Sequence, residues 1–514
     1  MPKRPDFIVF MTDQHRADYL GCAGHPILKT PHIDALAETG TLWNRFYVAS
    51  PVCMPNRASF MTCRMPSSHG VRSNGIPLDT RHVTFVELLR EAGYNTALIG
   101  KSHLQTFSGR PPAVKLPEAR PGFHRATGPM KEAVRHNHST YQAEQSLDEG
   151  GTAPLPYYGF DHVELVTRHG DNCGGHYRNW LLDKAPEADT LLGPANQLPH
   201  AYGLDQAVRT ALPEDLYSTH YIAERASAWL ADNADDERPI FLMVSFPDPH
   251  HPFNPPGRYW DMYAPEDMTV PKAFTANDWV PPPHVACVLE DREAGRADPT
   301  SFSVLGVSVR EAQEAQALTC GMISMIDDAV GRVRSHKRAG QAVTVFTTDH
   351  GDHLGDHKML FKGPAAYEEL TRVPFIWSDP DAPIAQQSDA IGQTLDIGTT
   401  ILARAKIEPA VGMQGKSLLN DHRDAALIEY NSHYVNRGLG TAPRVHTLRT
   451  EHWRLSLIDG VEWGEMYNLQ DDPDEFYNLW DVPEHAAQRA ALIEKLARLG
   501  IANVDRVPWP IAQA

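Results

Sequence analysis

Short apolar stretches alternate with amphipathic stretches along most of the chain. The run from Phe7 to Met11 is wholly apolar and ends in polar residues, and the stretches TALIGK, PIFLMVSF, AVTVFTT and VPFIW have the same character. The segments between them show helical periodicity; in THYIAERASAWL, for example, Ile222, Ala226 and Trp229 share one face. Continuous apolar runs suit strands buried on both sides, and helices between such strands are typical of parallel sheets. The pattern therefore predicts an α/β fold with a large, mostly parallel sheet sandwiched by helices.

Two parts of the chain depart from this pattern. Residues 105–215 are rich in Pro, Gly, His, Tyr and Asn and have weak periodicity, so we predict a loop-rich insertion that shapes a pocket rather than mere surface elaboration. After residue 418 the apolar runs shorten to ALIEY, RVHTLRT and WRLSLIDG, followed by a turn-rich stretch and a helix over 483–499. We therefore predict a large α/β domain, 1–418, and a small subdomain, 419–514, with an antiparallel sheet and one covering helix.

The charge balance narrows the choice of partners. Among 514 residues, 47 are Lys or Arg and 65 are Asp or Glu, giving a formal net charge of -18. A broad basic surface for nucleic acid or anionic membrane is therefore not expected. The sequence contains no apolar stretch of about 20 residues and does not start with a signal-like segment. We expect a soluble cytoplasmic protein with no nucleic-acid or membrane partner.

Polar residues follow several of the predicted core strands. Asp13 and Gln14 follow the first strand, and Asp349 and His350 follow the strand AVTVFTT. The carboxyl ends of parallel strands meet at one edge of a sheet, so these side chains should converge. Their mainly oxygen ligands suit Ca²⁺, Mg²⁺ or Mn²⁺ better than a thiolate zinc site. The alternative is that each aspartate only caps the helix that follows it.

A second set of residues could bind an anion or move protons. Arg57, Lys101, His103, His250 and Lys362 lie near predicted strand ends or in the same polar clusters. A tetrahedral oxyanion needs such groups, because the acidic ligands and the net charge disfavour it. Each residue taken alone is as readily explained as a solvated surface group.

Cys53, in the stretch CMPNR, does not fit the chemistry of its predicted surroundings. The six cysteines form no CxxC pair and no zinc-ligand spacing, so most should be small, buried and reduced. A thiol phosphatase would need a longer loop than the three residues between Cys53 and Arg57. A thiol nucleophile paired with His103 is possible, but a thiolate is a poor electronic match for a hard cation.

Several blocks of sequence resemble, in order, the motifs of one enzyme family. CMPNRAS resembles the C-x-P-x-R signature of type I sulfatases. Further matches cover nearly the whole chain: FIVFMTDQHRADYLGCAG, GYNTALIGKSHL, SFPDPHHPFNPP, TTDHGDHLGDHKMLFKG and EMYNLQDDPDEFYNL. On this resemblance the chain is identified as a member of the sulfatase and phosphonate monoester hydrolase branch of the alkaline phosphatase superfamily. The resemblance implies the alkaline phosphatase-like fold.

The resemblance also implies a chemical change at position 53. In type I sulfatases this cysteine is oxidised to formylglycine by a formylglycine-generating enzyme, and the aldehyde hydrates to a geminal diol. One hydroxyl, ionised by the metal and Arg57, then attacks sulfur or phosphorus and forms a covalent ester, here a sulfo-enzyme. By analogy with the family, the second hydroxyl then loses its proton to His103 as the aldehyde re-forms.

The remaining roles are implied position by position. Lys101 and Lys362 would hold the non-bridging oxygens of the substrate, His250 with Lys362 would protonate the leaving oxygen, and Asn74 would contact the oxyanion. The implied metal ligands are Asp13, Gln14, residue 53, Asp349 and His350.

Two of the implied ligands depart from the commonest pattern. Gln14 stands where many sulfatases have Asp, and His350 stands where many have Asn. These changes alter the field at the metal, so Ca²⁺ is our expectation and Mn²⁺ stays an alternative.

The expected substrate is a sulfate monoester of the aryl sulfate type. Phosphonate monoesters and phosphate diesters bring the same single charge, so promiscuity toward them is expected, and a phosphonate monoester hydrolase is the alternative. The Lys101-x-His103 pair is the sulfatase-like arrangement and favours sulfate. A two-zinc phosphatase would use Ser or Thr instead of Cys53, and a decayed or unmodified oxyanion-binding homologue is the non-enzyme alternative. We also expect a homo-oligomer.

Overall fold

The computed structural model describes residues 4–108, 142–147, 151–298, 303–382, 386–432 and 434–507. The strands in these ranges are β1 (Phe7–Thr12), β2 (Thr41–Trp43), β3 (Phe46–Tyr47), β4 (Asn95–Gly100), β5 (His162–Thr167), β6 (Gly174–Gly175), β7 (Ile240–Ser245), β8 (Leu305–Gly306), β9 (Val343–Thr348), β10 (Met359–Leu360), β11 (Phe375–Ser378), β12 (Gln386–Ser388), β13 (Gly392–Gln393), β14 (Ala426–Asn431), β15 (Arg444–Arg449), β16 (Trp453–Ile458) and β17 (Gly464–Asn468).

The helices of the same ranges are α1 (Pro31–Glu38), α2 (Cys53–Thr62), α3 (Pro66–His69), α4 (Phe85–Glu91), α5 (Ala143–Ser146), α6 (His176–Lys184), α7 (Ser218–Asp232), α8 (Pro283–Glu293), α9 (Val309–Arg334), α10 (Lys337–Gly340), α11 (Glu368–Thr371), α12 (Thr394–Ala405) and α13 (Ala486–Ala502). None of these described helices is both long and apolar enough to cross a lipid bilayer.

A large mixed sheet forms the centre of the fold. Its strand order is β12-β2-β11-β9-β1-β7-β4-β5-β6. The five strands from β9 to β5 run parallel, whereas β11 is antiparallel to both of its neighbours and β6 is antiparallel to β5. The predicted α/β architecture is therefore confirmed. The apolar composition of VPFIW, which becomes β11, did not indicate that this strand would run in the opposite direction.

Both faces of the central sheet are buried. Along β1, Phe7, Val9 and Met11 pack in one core with α2, α4 and α12, whereas Ile8 and Phe10 pack in another with α1, α7 and α9. Complete burial of a side chain of this size stabilises the fold by about 1.5–3 kcal/mol. The continuous apolar runs of the sequence reflect this burial on two sides.

The region from 105 to 215 contains more regular structure than its sequence pattern indicated. It supplies β5 and β6 at one edge of the sheet, together with α6. The first half of β5 is only partly buried, which explains why HVELVT lacks a clear apolar pattern. Residues 109–141 and 148–150 of the predicted insertion lie outside the described residues.

The C-terminal region forms a separate antiparallel sheet of four strands in the order β14-β15-β16-β17. Three of them match the predicted apolar runs, while β17 was not predicted because it lies at the edge of a turn-rich stretch. Helix α13 covers the sheet, as expected, by packing Leu492 and Leu496 against Leu448, Leu455 and Met466.

Buried charges join this small sheet to the part of the chain that precedes it. The Arg454 guanidinium is 1% exposed, bridges Glu465 and Glu475, and lies over the rings of Tyr367 and Tyr467. The hydroxyl of Tyr367, which directly precedes α11, donates to Glu465. Because removal of one partner from such a group leaves an uncompensated buried charge, this network fixes how the sheet docks.

The two carboxyl groups on Arg454 should respond differently to pH. Burial raises the pKa of Glu475 from 4.5 to about 7, with Glu368 and Glu369 adding to the effect and Arg454 opposing it. The Glu465 carboxyl has a pKa below its ordinary value, because the attraction of Arg454 outweighs burial. Since the folded pKa of Glu475 exceeds the unfolded value, its contribution to stability is full below about pH 4.5 and is lost as pH rises through about 7.

We therefore expect the Glu475→Gln variant to lose less stability than the wild-type protein when pH rises from about 5 to about 8, by up to about 2 kcal/mol. The measurement is the melting temperature of both proteins across this range. Glu465→Gln is the matched control, because a carboxyl with a lowered pKa stays ionised over these pH values and should change stability without changing its slope. If melting temperature fell equally steeply with pH in the wild type and in Glu475→Gln, the raised pKa of Glu475 would be contradicted.

Candidate active site

Four of the parallel strands end at the same edge of the sheet and deliver polar side chains there. Asp13 follows β1, Lys101 follows β4, and Asp349 follows β9. The loop after β7 brings His250 to the same edge. The convergence expected at the carboxyl ends of parallel strands is therefore present.

A glycine makes this arrangement possible at β4. Gly100 has a φ of 112°, and a Cβ atom there would lie 1.8 Å from the carbonyl oxygen of Ser245 on β7. The Lys101 amide donates to the same carbonyl at 2.8 Å. Only glycine lets the two strand ends approach closely enough to deliver Lys101.

Cys53 lies at the start of α2, a helix whose ten residues are all buried. Its Sγ is 3.1 Å from Nε2 of His350 and 3.9 Å from Oδ1 of Asp13. Asn56, in the same first turn, donates through Nδ2 to the Asp349 carbonyl at 2.6 Å and accepts from the Ala49 amide. These contacts fasten the first turn of α2 to the end of β9.

One cluster of buried side chains has the donors of a metal site. Ligand atoms of Asp13, Cys53, Asp349 and His350 lie within 4.8 Å of one another, and all four residues are buried. His350 Nδ1 donates to the carbonyl of Gly351, which leaves Nε2 directed at the cluster. Metal-binding histidines are usually oriented in this way. Two buried carboxylates and an oriented imidazole fit a divalent cation, and the thiol is the one soft atom.

Gln14 stands beside this cluster in a left-handed conformation, with φ at 62°. Its Nε2 donates to Asp352 at 2.6 Å and contacts Nδ1 of His251 at 3.0 Å, while its Oε1 accepts from Lys362 at 3.0 Å. Its backbone amide donates to Asp349 at 3.2 Å. The amide nitrogen is thus held away from the cluster, and the oxygen is the atom available as a ligand.

Arg57 balances the two buried carboxylates. Its Nε donates to Oδ2 of Asp349 at 2.7 Å, and its Nη2 lies 3.8 Å from Oδ2 of Asp13. Nη1 is held by the carbonyl of Lys101 and the hydroxyl of Ser245, each at 3.0 Å. Burial alone would raise the pKa of Asp13, but the charge of Lys101 and other nearby cations holds this pKa well below its ordinary value.

Lys101 and Asp13 are in direct contact, and Lys101 has a second partner that the sequence did not indicate. Nζ lies 2.7 Å from Nε2 of His169, which follows β5 in the predicted insertion. The His169 ring stacks on His250 with 3.7 Å between ring centroids. Burial and Lys101 lower the pKa of His169 to about 3, so the ring is neutral and accepts from the ammonium. No motif flanks His169, so only the folded chain reveals it.

His250 and Lys362 form a pair suited to proton transfer. His250 Nδ1 donates to the carbonyl of His251 at 2.6 Å, so its Nε2 has no hydrogen in the neutral ring. Lys362 Nζ donates to this Nε2 at 2.9 Å. Burial keeps the pKa of His250 well below its ordinary value, so the proton of the pair resides on Lys362.

The two remaining predicted residues are His103, which follows β4, and Asn74, which contacts the start of α2. The His103 ring is buried and stacks on Phe107 at 4.3 Å, and burial together with Lys101 holds its pKa well below the ordinary value. Asn74 accepts from the Met54 amide at 3.1 Å through Oδ1 and so lies at the start of α2. The structure thus brings every residue singled out from the sequence to one region.

Comparison with known protein families identifies the class to which this chain belongs. The family model named Sulfatase matches residues 5–407, so the chain belongs to the sulfatase family. A second model, for the C-terminal part of N-sulphoglucosamine sulphohydrolase, matches residues 355–501 and includes the small antiparallel sheet.

Relatives of known name support this membership over the whole length. The arylsulfatase of Clostridium perfringens is 27% identical over 96% of this chain and 94% of its own. A multifunctional alkaline phosphatase superfamily protein, PehA, of Trinickia caryophylli is 26% identical over 98% and 96%. Among solved structures, a phosphonate monoester hydrolase of Agrobacterium radiobacter superposes with a TM-score of 0.76, 25% identity, and coverage of 98% and 97%.

Metal binding at this cluster can be tested without any substrate. We expect Ca²⁺ or Mn²⁺ to raise the melting temperature of chelator-treated protein, with a stabilisation of about 2.7 kcal/mol at a hundredfold excess over Kd. Asp13→Asn should abolish the shift and the bound metal found by atomic emission. Asp328→Asn is the control, because Asp328 belongs to an outlying cluster with His32 and Asp327 that has two exposed members. Loss of the shift in that variant instead would place the metal elsewhere.

Proposed function

We propose that the protein hydrolyses sulfate monoesters of the aryl sulfate type, using formylglycine formed from Cys53 as the nucleophile. The main support is the position of Cys53. Its side chain faces Asp13 and His350 at the start of a buried helix, where a soft thiol suits neither a hard cation nor an oxyanion. An aldehyde hydrate would present oxygen at the same point.

The proposed cofactor is one divalent metal ion, Ca²⁺ in our preferred assignment and Mn²⁺ as the alternative. When bound, the ion would supply positive charge that favours ionisation of a hydroxyl and offsets the charge of the substrate oxygens. It would be held by Asp13, Gln14, residue 53, Asp349 and His350.

Three cations of the chain fit the binding of a tetrahedral monoanion. Arg57 lies beside position 53 on α2, where it pairs with Asp349 and supports the ionised nucleophile. Lys101 and Lys362 would hold the non-bridging oxygens, and Asn74 at the start of α2 would contact the oxyanion. Buried cations act strongly because water does not screen them, and this local charge overcomes the net charge of -18.

Proton transfer follows from the hydrogen bonds of the two histidines. Lys362, which holds the proton of the pair, would give it to the leaving oxygen, and Nε2 of His250 would hold the Lys362 ammonium in place. His103, neutral because its pKa is low, would accept the proton of the second hydroxyl at position 53 as the aldehyde re-forms. Its buried Nδ1 has no partner among the described residues, so it is open to such a contact.

Phosphonate monoesters and phosphate diesters are the second proposed substrate class. They also bring one negative charge to the same cations, and the superposition on a phosphonate monoester hydrolase covers 98% of this chain. We place sulfate first because the Lys101-x-His103 pair resembles the sulfatase arrangement, and both side chains are buried in the site.

The proposal extends to maturation of the protein. Cys53, Pro55 and Arg57 are buried within α2, so a formylglycine-generating enzyme would act on the chain before α2 packs. We keep the expected homo-oligomer and cytoplasmic location as parts of this proposal.

Conversion of Cys53 is tested by peptide mass spectrometry, with an expected loss of about 18 Da relative to cysteine. The converted protein should hydrolyse 4-nitrophenyl sulfate, and Cys53→Ala should lower turnover at least about a thousandfold, because the nucleophile is lost. Cys63→Ala, in the same helical region but without a contact to the cluster, is the control. Undiminished turnover by Cys53→Ala would rule out the mechanism.

Substrate preference is tested by comparing kcat/KM for 4-nitrophenyl sulfate and for a phenyl phosphonate monoester on the same converted preparation. We expect the sulfate to be preferred, and the phosphonate to be cleaved at a measurable rate because the cationic groups serve both anions. A kcat/KM for the phosphonate more than about tenfold above that for the sulfate would reverse the assignment.

A further inference from the structure

One buried carboxylate gathers the backbone of the loop that carries Lys101 and His103. Glu144, on the short helix α5, is 1% exposed. Its Oε2 accepts from the His103 amide at 3.1 Å. Its Oε1 accepts from the Leu104 and Gln105 amides, each at 3.0 Å. Three successive amides thus end on one side chain, 39 to 41 positions further along the chain.

The loop needs such support because of its conformation. His103 has a φ of 55°, which is unfavourable for a residue with a side chain and costs on the order of 1–2 kcal/mol. Its amide and the next two follow the end of β4 and are buried donors; Leu104 also has a longer contact to the Ser102 hydroxyl at 3.4 Å, whereas Glu144 accepts from all three. An unpaired buried donor costs about 1–3 kcal/mol, so Glu144 removes a penalty that would act against this conformation.

Other contacts hold Glu144 itself in place. The Tyr157 hydroxyl donates to Oε1 at 2.6 Å, and Ser102 donates to that hydroxyl at 3.3 Å. Gln105 accepts from the Ala143 amide at 2.9 Å, which ties α5 and the loop together in both directions. The carboxylate is therefore held by the Tyr157 hydroxyl as well as by the three amides of the loop.

We infer that Glu144 is a positioning residue, which holds the loop of residues 101–105 in the conformation that directs His103 into the active site. The inference rests on the proposed function for its effect on turnover, but not for its effect on the loop. Glu144 makes no contact with Asp13, Cys53, Asp349 or His350 among its hydrogen bonds in the described chain, so it would act through His103.

The Glu144→Gln variant tests this with a small change. It keeps one oxygen to accept from Leu104, Gln105 and Tyr157 but places an NH₂ group against the His103 amide, so that two donors face each other. We expect kcat for 4-nitrophenyl sulfate to fall roughly 10- to 100-fold, with KM and melting temperature little changed. Hydrogen exchange of the amides at 103–105 should become faster.

Glu164→Gln is the matched control. Glu164 is a partly buried carboxylate on β5 that pairs with Arg225 and Tyr221, and none of its contacts reaches the loop. This variant should leave kcat and exchange at 103–105 unchanged. Tyr157→Phe removes one donor to Glu144 but keeps the three amide contacts. It should lower kcat and speed exchange at 103–105 less than Glu144→Gln does.

Two results would overturn the inference: unchanged exchange at 103–105 in Glu144→Gln, or a fall in kcat no larger than that of Glu164→Gln. If the wild-type protein did not hydrolyse the sulfate at all, the proposed function would fail. Exchange at 103–105 would then still decide whether Glu144 holds the loop.

Discussion

The structure of the site depends on the balance of charge around two buried carboxylates, Asp13 and Asp349. Both lie at the ends of adjacent parallel strands and have no solvent exposure. Isolated carboxylates in such surroundings would be too costly to ionise, so partners must be supplied by other elements. Arg57 supplies one from α2 and Lys101 another from the end of β4. The position of α2 on the sheet is thus an electrostatic requirement as well as a matter of packing.

This requirement connects the core to the chemistry. Helix α2 packs against α4 and α12 through its apolar side chains, and the same helix begins at Cys53 and carries Arg57. A helix that moved along the sheet would break the contact between Arg57 and Asp349 and would leave buried charge uncompensated. Breaking a buried ion pair costs about 3–5 kcal/mol, comparable to a large cavity in the core. Packing and charge therefore select the same position for the helix.

Sequence reasoning succeeded where the information is local. Apolar runs predicted the core strands, and the polar residues directly after them, such as Asp13 and Asp349, were correctly expected to meet, because topology alone brings strand ends together. It did not find His169 or Glu144, which reach the site from a segment without clear periodicity. It also missed the reversed direction of β11 and the strand β17. Such features depend on contacts between distant segments, which no local pattern encodes.

The proposed conversion of Cys53 draws on the same charge balance. The carboxylates and the Nε2 atom of His350 surround Cys53 with hard or borderline donors, and the nearby cations suit an oxyanion. A thiol fits the space at this position, but its sulfur is a weak ligand for a hard cation. For the same reason a thiolate nucleophile is poorly matched to such a cation. The proposed conversion to an aldehyde hydrate removes the sulfur, oxidises Cβ and places two hydroxyl groups on it, so the burial of α2 and the contacts of Arg57 can stay as they are. After conversion, residue 53 would offer the site an oxygen atom, which the cysteine side chain lacks.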